Sequence, residues 1–341
     1  MDDPPEQDIN YATERIAIIG AGTIGLSIAA LHLLSSPTPP SISIFDTRPG
    51  LETYVRENLI LLLDTHPTIS SHQLLSHVIT TKSLQNAVQD ATIVQESCPE
   101  IPSLKQQLWK EIEEHAPSDA LFWTSTSGIS ASIQSSLMLD KTRLLVVHPY
   151  NPPHIMPLLE IVPSPSTSSL FIQQTLDFWH ARGRQPILVK KEVPGFVANR
   201  LAFALLREAI HLVSENVIGA RDLDALVESS MGPRWAVAGP LKSYAAGGGE
   251  QGLEGFFDKI GETIGEVWED LGKPTTGGSW RTKVISEVEQ TYPPFMAQDA
   301  ENRDSVTSEI LNVVARKREI ARKRERETKE LGRAVKEEES V

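Results

Sequence analysis

Short apolar runs alternate with longer amphipathic stretches through the first half of the chain. The runs are Ile16–Ile19, Ile42–Phe45, Thr92–Gln95, Leu121–Trp123, Leu144–Val147, Leu159–Val162 and Ile187–Val189. Helical stretches rather than hairpin turns separate most of them, which predicts a mostly parallel sheet covered on both faces. From Pro194 the pattern changes, and no later run reads as a strand. Val197–Val217 carries an apolar stripe at Leu201, Leu205, Ala209, Leu212 and Val213, which predicts a long helix closed by Gly219. Asp222–Ser229, Gly252–Leu271 and Trp280–Gln290 predict further helices, and Val306 to Val335 has helical propensity. The fold expected is an α/β domain over residues 14–193 followed by an all-α domain over 194–315. Residues 1–13 are polar and aperiodic and are expected to form a loose, disordered arm. Residues 316–341 are expected to form a charged helical tail.

Composition narrows the class. The 341 residues carry 32 basic and 45 acidic side chains, a net charge of −13, which argues against a nucleic-acid-binding surface. The basic cluster Arg316 to Arg326 reads as the solvated face of the tail helix. One cysteine, Cys98, excludes an intrachain disulfide and a cysteine-rich zinc site, so no metal is expected and a cytoplasmic setting is. The uncharged stretch from Ile16 to Leu34 holds Gly20, Gly22 and Gly25 and follows an acidic leader, so it reads as a strand and a buried helix rather than a signal peptide or membrane span. The terminal Glu-Glu-Ser-Val is not a peroxisomal address.

That stretch also carries the first chemical signature. Ile16–Ile19 runs into Gly20-Ala-Gly22-Thr23-Ile24-Gly25 and then a helix. Gly20 permits a tight turn, Gly22 lets a pyrophosphate approach the backbone, and Gly25 lets helix and strand pack closely. The helix N-terminus offers free N–H groups to the phosphates. Asp46, at the end of the second run, is placed to accept hydrogen bonds from the adenosine ribose and to repel a 2′-phosphate. The cofactor expected of this Rossmann-type domain is NAD, with Arg48 as a residue that softens the preference over NADP.

The second signature is His148, at the end of Leu144–Val147, with Glu160 twelve residues later in the next apolar run. A dehydrogenase must take a hydroxyl proton as hydride leaves the same carbon. Histidine does this near neutral pH, and a carboxylate on its other nitrogen fixes the tautomer. A histidine at a strand end is also often structural. His154, after Pro152 and Pro153, is a competing candidate that reads as a pocket or surface residue.

The ordered set of glycine loop, His148-Pro-Tyr-Asn-Pro, Leu-Leu-Glu160 and Pro194-Gly-Phe-Val-Ala-Asn199-Arg resembles the 3-hydroxyacyl-CoA dehydrogenase family over roughly residues 14–270. The resemblance implies a Rossmann-type first domain, a helical second domain that forms a homodimer, and a catalytic His–Glu pair in the cleft between them. It makes His148 the general base and Glu160 its orienting partner. Ser127, in Thr124-Ser-Thr-Ser-Gly, matches the serine that hydrogen-bonds the reacting oxygen, and Asn199 matches an asparagine near the reaction centre. Glu100 and Lys105 match a pair lining the nicotinamide side of the cofactor.

Three details resemble the L-gulonate 3-dehydrogenase (lambda-crystallin) and carnitine 3-dehydrogenase branch. These are Glu96-Ser-Cys-Pro-Glu100, His148-Pro-Tyr-Asn-Pro-Pro and Gly232-Pro-Arg-Trp-Ala-Val-Ala-Gly-Pro240. From Leu51 to Thr81, where acyl-CoA enzymes place a lysine-bearing helical hairpin, the only basic side chain besides histidines is Arg56. Arg234 is a candidate clamp for a substrate carboxylate. Three readings stay open: a dehydrogenase of small free 3-hydroxy acids, a 3-hydroxyacyl-CoA dehydrogenase, and a non-catalytic crystallin-like or NAD(H)-sensing protein.

Overall fold

The computed structural model describes residues 14–36, 38–64, 70–294 and 296–338. The arm expected over residues 1–13 lies outside them. The chain divides into two compact units, one up to Leu201 and one from Ala202 onward.

The first unit is built in the order β1 (Arg15–Ile19), α1 (Thr23–Ser35), β2 (Ser41–Phe45), α2 (Leu51–Leu63), α3 (Ser71–Leu75), β3 (Val78–Thr81), α4 (Leu84–Val88) and β4 (Ile93–Glu96). It continues with α5 (Pro102–His115), β5 (Leu121–Thr124), α6 (Ala131–Gln134), β6 (Leu144–Pro149), β7 (Leu158–Pro163), α7 (Ser169–Ala181) and β8 (Gln185–Leu188), and it holds the start of α8 (Ala198–Ser214). The strands form one sheet in the order β3-β2-β1-β4-β5-β6-β7-β8. Neighbours are parallel except β6 and β7, which pair antiparallel. Alternation along the strands sends side chains to two apolar layers. Ile16, Ile18, Ile42, Ile44, Leu145 and Val147 meet α1, α2 and α7 on one face. Ala17, Ile19, Val94, Phe122, Leu144 and Val146 meet α4, α5 and Phe196 on the other. Each fully buried aliphatic side chain contributes about 1.5–3 kcal/mol.

Two points of the sheet depart from the apolar-run reading. Strand β3 was not expected. It is an edge strand, half threonine, with each residue at least partly exposed, so it lacks the apolar run that marks a central strand. The second is the reversal at β7, which turns a sequence separation of twelve residues into direct pairing of His148 with Glu160.

The second unit is helical throughout its described residues. After α8 come α9 (Ala220–Ser229), α10 (Met231–Val237), α11 (Pro240–Gly247), α12 (Gly252–Asp270), α13 (Trp280–Thr291) and α14 (Ala297–Glu338). Gly219 does not close α8. The helix ends at Ser214, Asn216 takes the left-handed conformation at φ 59°, and Gly219 instead caps the N-terminus of α9. Helices α10 and α11 are hidden in the sequence by Pro233 and Pro240, yet both prolines fall in a first helical turn, where a missing N–H costs nothing. The charged tail is no separate element, since it continues α14 to Glu338. No helix among the described residues is long and apolar enough to cross a membrane.

Candidate active site

The sheet order places a topological switch between β1 and β4, where crossovers leave in opposite directions and open a crevice at the strand ends. The glycine loop closes one side of it. Gly20 sits at φ 100°, and a Cβ there would lie 2.8 Å from the Ser97 carbonyl oxygen. A Cβ on Gly25 would lie 1.9 Å from the Gly20 oxygen, so α1 packs on its own turn as only glycine permits. A Cβ on Gly22 would meet nothing within 4 Å. Its side is open, as a cradle for a pyrophosphate at the N-terminus of α1 requires. Thr23 is exposed at the first position of α1 and Ile24 is half-buried beside it.

Asp46 directly follows β2, with its carboxylate over this loop. Its Oδ2 accepts the Ala21 N–H at 2.8 Å and its Oδ1 accepts the Arg48 N–H at 2.9 Å. Burial pushes its pKa up, but these two amides and the Arg48 guanidinium outweigh burial and hold the carboxyl below its ordinary range. Asp46 is therefore an anion at neutral pH, fit to accept from ribose hydroxyls and to repel a phosphate. Arg48 is 3.4 Å from the same carboxylate and lies 3.9 Å over the Tyr54 ring, so its charge is already engaged.

His148 is the penultimate residue of β6, and Glu160 stands opposite it on β7. Nδ1 of His148 is 2.8 Å from Glu160 Oε2, and both side chains are nearly buried. The other carboxylate oxygen, Oε1, accepts the backbone N–H groups of Val197 at 2.8 Å and Ala198 at 2.9 Å, at the N-terminus of α8. Burial pushes the Glu160 carboxyl up, while its bond to His148 and these two amides pull it lower, and the net position is below the ordinary value. A carboxylate so held stays charged, donates nothing, and obliges Nδ1 to carry the proton. In a neutral imidazole so held, Nε2 is the lone-pair nitrogen. His154 is placed elsewhere, with its Nδ1 3.5 Å from Ser27 Oγ on α1.

The loop after β5 carries Ser127, which is exposed. Asn199 Nδ2 lies 3.4 Å from the Ser127 carbonyl oxygen, so these two residues meet. Glu100 fixes the same loop: its carboxylate accepts from Thr126 Oγ1 at 2.6 Å and from the Ser127 N–H at 3.2 Å. Lys105 does not share that environment. Its ammonium is fully buried, 2.7 Å from Glu96 Oε1 and 3.2 Å from the Cys98 carbonyl oxygen. Arg234 belongs to the helical unit, exposed on α10.

Sequence reasoning passed over Glu96. Its carboxylate, fully buried at the end of β4, takes Lys105 and the Cys98 N–H on one oxygen and Thr124 Oγ1 on the other. Its signals were a charge closing an apolar run and its place in Glu96-Ser-Cys-Pro-Glu100, and neither foretold the buried pair with Lys105. His32 was passed over too. It is wholly buried in α1, 3.0 Å from Gln95 Oε1, and Gln95 reaches Ser125 Oγ at 3.2 Å. Burial lowers its pKa to about 3.

The family's sequence profiles decide the assignment. The profile for the 3-hydroxyacyl-CoA dehydrogenase NAD binding domain matches residues 15–193, and that for the 3-hydroxyacyl-CoA dehydrogenase C-terminal domain matches residues 195–278. The chain belongs to the 3-hydroxyacyl-CoA dehydrogenase family. It is thus an NAD-dependent oxidoreductase whose NAD binding domain spans residues 15–193. Within the family, an L-carnitine dehydrogenase of Streptomyces coelicolor is 32% identical over 89% of this chain and 95% of its own. A 3-hydroxyacyl-CoA dehydrogenase of Gibberella moniliformis is 33% identical over 90% of this chain and 95% of its own. Among solved structures, 5-formyl-3-hydroxy-2-methylpyridine 4-carboxylic acid 5-dehydrogenase, an NAD+-dependent dismutase, superposes with a TM-score of 0.73 at 26% identity, covering 88% of this chain and 97% of that one.

Proposed function

We propose that this protein oxidises the 3-hydroxyl of a small free hydroxy acid, of the carnitine or gulonate kind, to the 3-keto acid, with His148 as the base. The observation that carries the base is the clamped pair: Glu160 holds Nδ1–H of His148 at 2.8 Å, so Nε2 is the nitrogen that takes the hydroxyl proton. The anion of Glu160 then steadies the imidazolium that results. Bound NAD supplies the hydride acceptor. Ser127 and Asn199, joined at 3.4 Å, hydrogen-bond the reacting oxygen, and Glu100 and Lys105 brace the nicotinamide side, Glu100 through the serine loop and Lys105 through the Glu96 strand end.

Two observations favour a free acid. The segment from Leu51 to Thr81 carries one basic side chain besides histidines, Arg56, where the phosphates of a coenzyme A thioester call for several. The carnitine dehydrogenases also match most of the chain. Arg234 is assigned the substrate carboxylate, as a two-pronged donor. The Gibberella relative favours a second reading, a 3-hydroxyacyl-CoA dehydrogenase. The protein acts as a homodimer in this account, because the helical unit leaves Phe203, Leu206, Leu241 and Trp268 more than half exposed, as an apolar face awaiting a second copy would be.

The test is kcat/KM with NAD for L-carnitine, L-gulonate and 3-hydroxybutyryl-CoA, on the unaltered protein and on Arg234→Ala. A free acid is expected to lead, and the substitution is expected to raise KM for the acid more than for the thioester. A thioester far ahead of both acids would refute the reading.

A further inference from the structure

The turn that enters α8 is unusual for the residues that form it. Gly195 sits at φ 72° and Phe196 at φ 50°. Glycine adopts this left-handed region freely, but a bulky aromatic residue rarely does, and such a conformation persists only where its surroundings over-determine it. The surroundings here are specific. The Phe196 N–H closes the turn on the Val193 carbonyl at 3.1 Å. The next two amides, of Val197 and Ala198, point at Glu160 Oε1. The phenyl ring is fully buried, and its centroid lies 5.4 Å from that of the His148 imidazole at an interplanar angle of 53°.

We propose that Phe196 is a positioning residue for His148: its left-handed backbone turns the phenyl ring onto the imidazole while aiming the two following amides at Glu160. The imidazole is then fixed from two sides. Glu160 sets the direction of its Nδ1–H vector, and the ring blocks rotation about the Cβ–Cγ bond away from that vector. An extended backbone at residue 196 would carry the ring away from His148 and the Val197 and Ala198 amides away from Glu160, so the conformation serves both members of the pair. The ring partner of Phe196 is His148, so its effect passes through that imidazole. The inference rests on His148 being the base, and its test includes a readout that needs no turnover.

Two substitutions separate ring from backbone. Phe196→Leu keeps apolar volume and loses the flat ring. Phe196→Gly loses the ring but takes φ 50° without strain. Phe122→Leu is the comparator, since Phe122 is fully buried in the same layer and its ring faces Trp109. Three quantities are measured on the full chain: NADH affinity by fluorescence, steady-state turnover of L-carnitine with NAD, and the rate of diethylpyrocarbonate modification at His148 by peptide mass spectrometry. Both Phe196 variants should bind NADH as the unaltered protein does and lose about 10- to 100-fold in kcat with little change in KM, the size of effect that a misplaced group produces. His148 should be modified several-fold faster in both. Phe122→Leu should lose stability while His148 modification and kcat hold. Folded Phe196 variants with unchanged His148 modification and kcat would overturn the proposal. So would a Phe122→Leu variant that matched them, since that would mark general loosening of the layer. If the unaltered protein turns over neither L-carnitine nor L-gulonate, the free-acid reading fails, and the His148 modification rates decide the positioning role by themselves.

Discussion

His148 and Glu160 are register partners across the one antiparallel pair of an otherwise parallel sheet, and Glu160 bonds the imidazole with one oxygen and the N-terminus of α8 with the other. The carboxylate therefore joins His148 to the helix start that bears Asn199. Glu160→Gln keeps the volume and one hydrogen bond but removes the charge. It is expected to lower kcat by about 10²–10⁴-fold, the scale on which loss of an orienting anion acts, with NADH affinity unchanged. Stopped-flow kinetics with a cofactor titration checks both parts. Near-normal kcat in this variant would show the pair to be structural.

Gly22 and Gly25 should respond differently to the same added methyl group. At Gly22 the new Cβ meets no protein atom within 4 Å, so Gly22→Ala should fold normally and weaken NAD binding by filling the cradle. At Gly25 the Cβ would overlap a backbone oxygen at 1.9 Å, so Gly25→Ala should lower the melting temperature as well. Calorimetric unfolding alongside NADH titration distinguishes the two. Equal stability loss in both variants would contradict this assignment of roles.

Asp46 is held ionised by the Ala21 and Arg48 amides against the cost of burial. The protein should prefer NAD to NADP, and Asp46→Ala should weaken NAD binding while narrowing that preference. Arg48, engaged by Asp46 and Tyr54, should not rescue NADP use in the unaltered protein. Equal kcat/KM with the two cofactors before mutation would count against the carboxylate as the discriminator.

His32 makes a prediction about acid stability. Burial, only partly offset by its bond to Gln95, holds its pKa in the folded protein at about 3 against an ordinary 6.5. Below pH 6.5 the unfolded chain takes up a proton at His32 and the native chain does not, so acid draws the equilibrium toward unfolding. The native state should lose about 1.4 kcal/mol per pH unit from this group alone, from near 6.5 down toward 3. Urea unfolding of the protein and of His32→Gln at several pH values tests it. The variant, less stable near pH 7 from the lost packing, should show the shallower decline. Parallel declines would mean that His32 titrates alike in both states.

The sequence carried most of the sheet because its central strands are buried on both faces and so appear as unbroken apolar runs. It failed where burial was partial. Strand β3 lies at the edge with two threonines, and α10 and α11 begin on prolines that read as breakers until their place in the first turn is known. At the site, Gly20, Gly22, Gly25 and Asp46 were legible because their spacing within one β–α–β unit has a mechanical meaning. His148 and Glu160 needed the strand reversal as well, since twelve residues of separation fixes no contact without it. Glu96 and Phe196 stand in motifs that the sequence offers, but the ion pair of the one and the left-handed backbone of the other left no trace there, because both are properties of the packed chain.

The central claim is that His148 takes the substrate proton. It is tested by the rate of cofactor reduction in a single turnover, with His148→Gln compared against the unaltered protein, both loaded with NAD and L-carnitine. The account predicts that His148→Gln binds the cofactor normally and reduces it about 10²–10⁴-fold more slowly, and that adding Glu160→Gln slows it little further, since the two residues act as one unit. Reduction at a near-normal rate in His148→Gln, with loss of activity in His154→Gln instead, would contradict it.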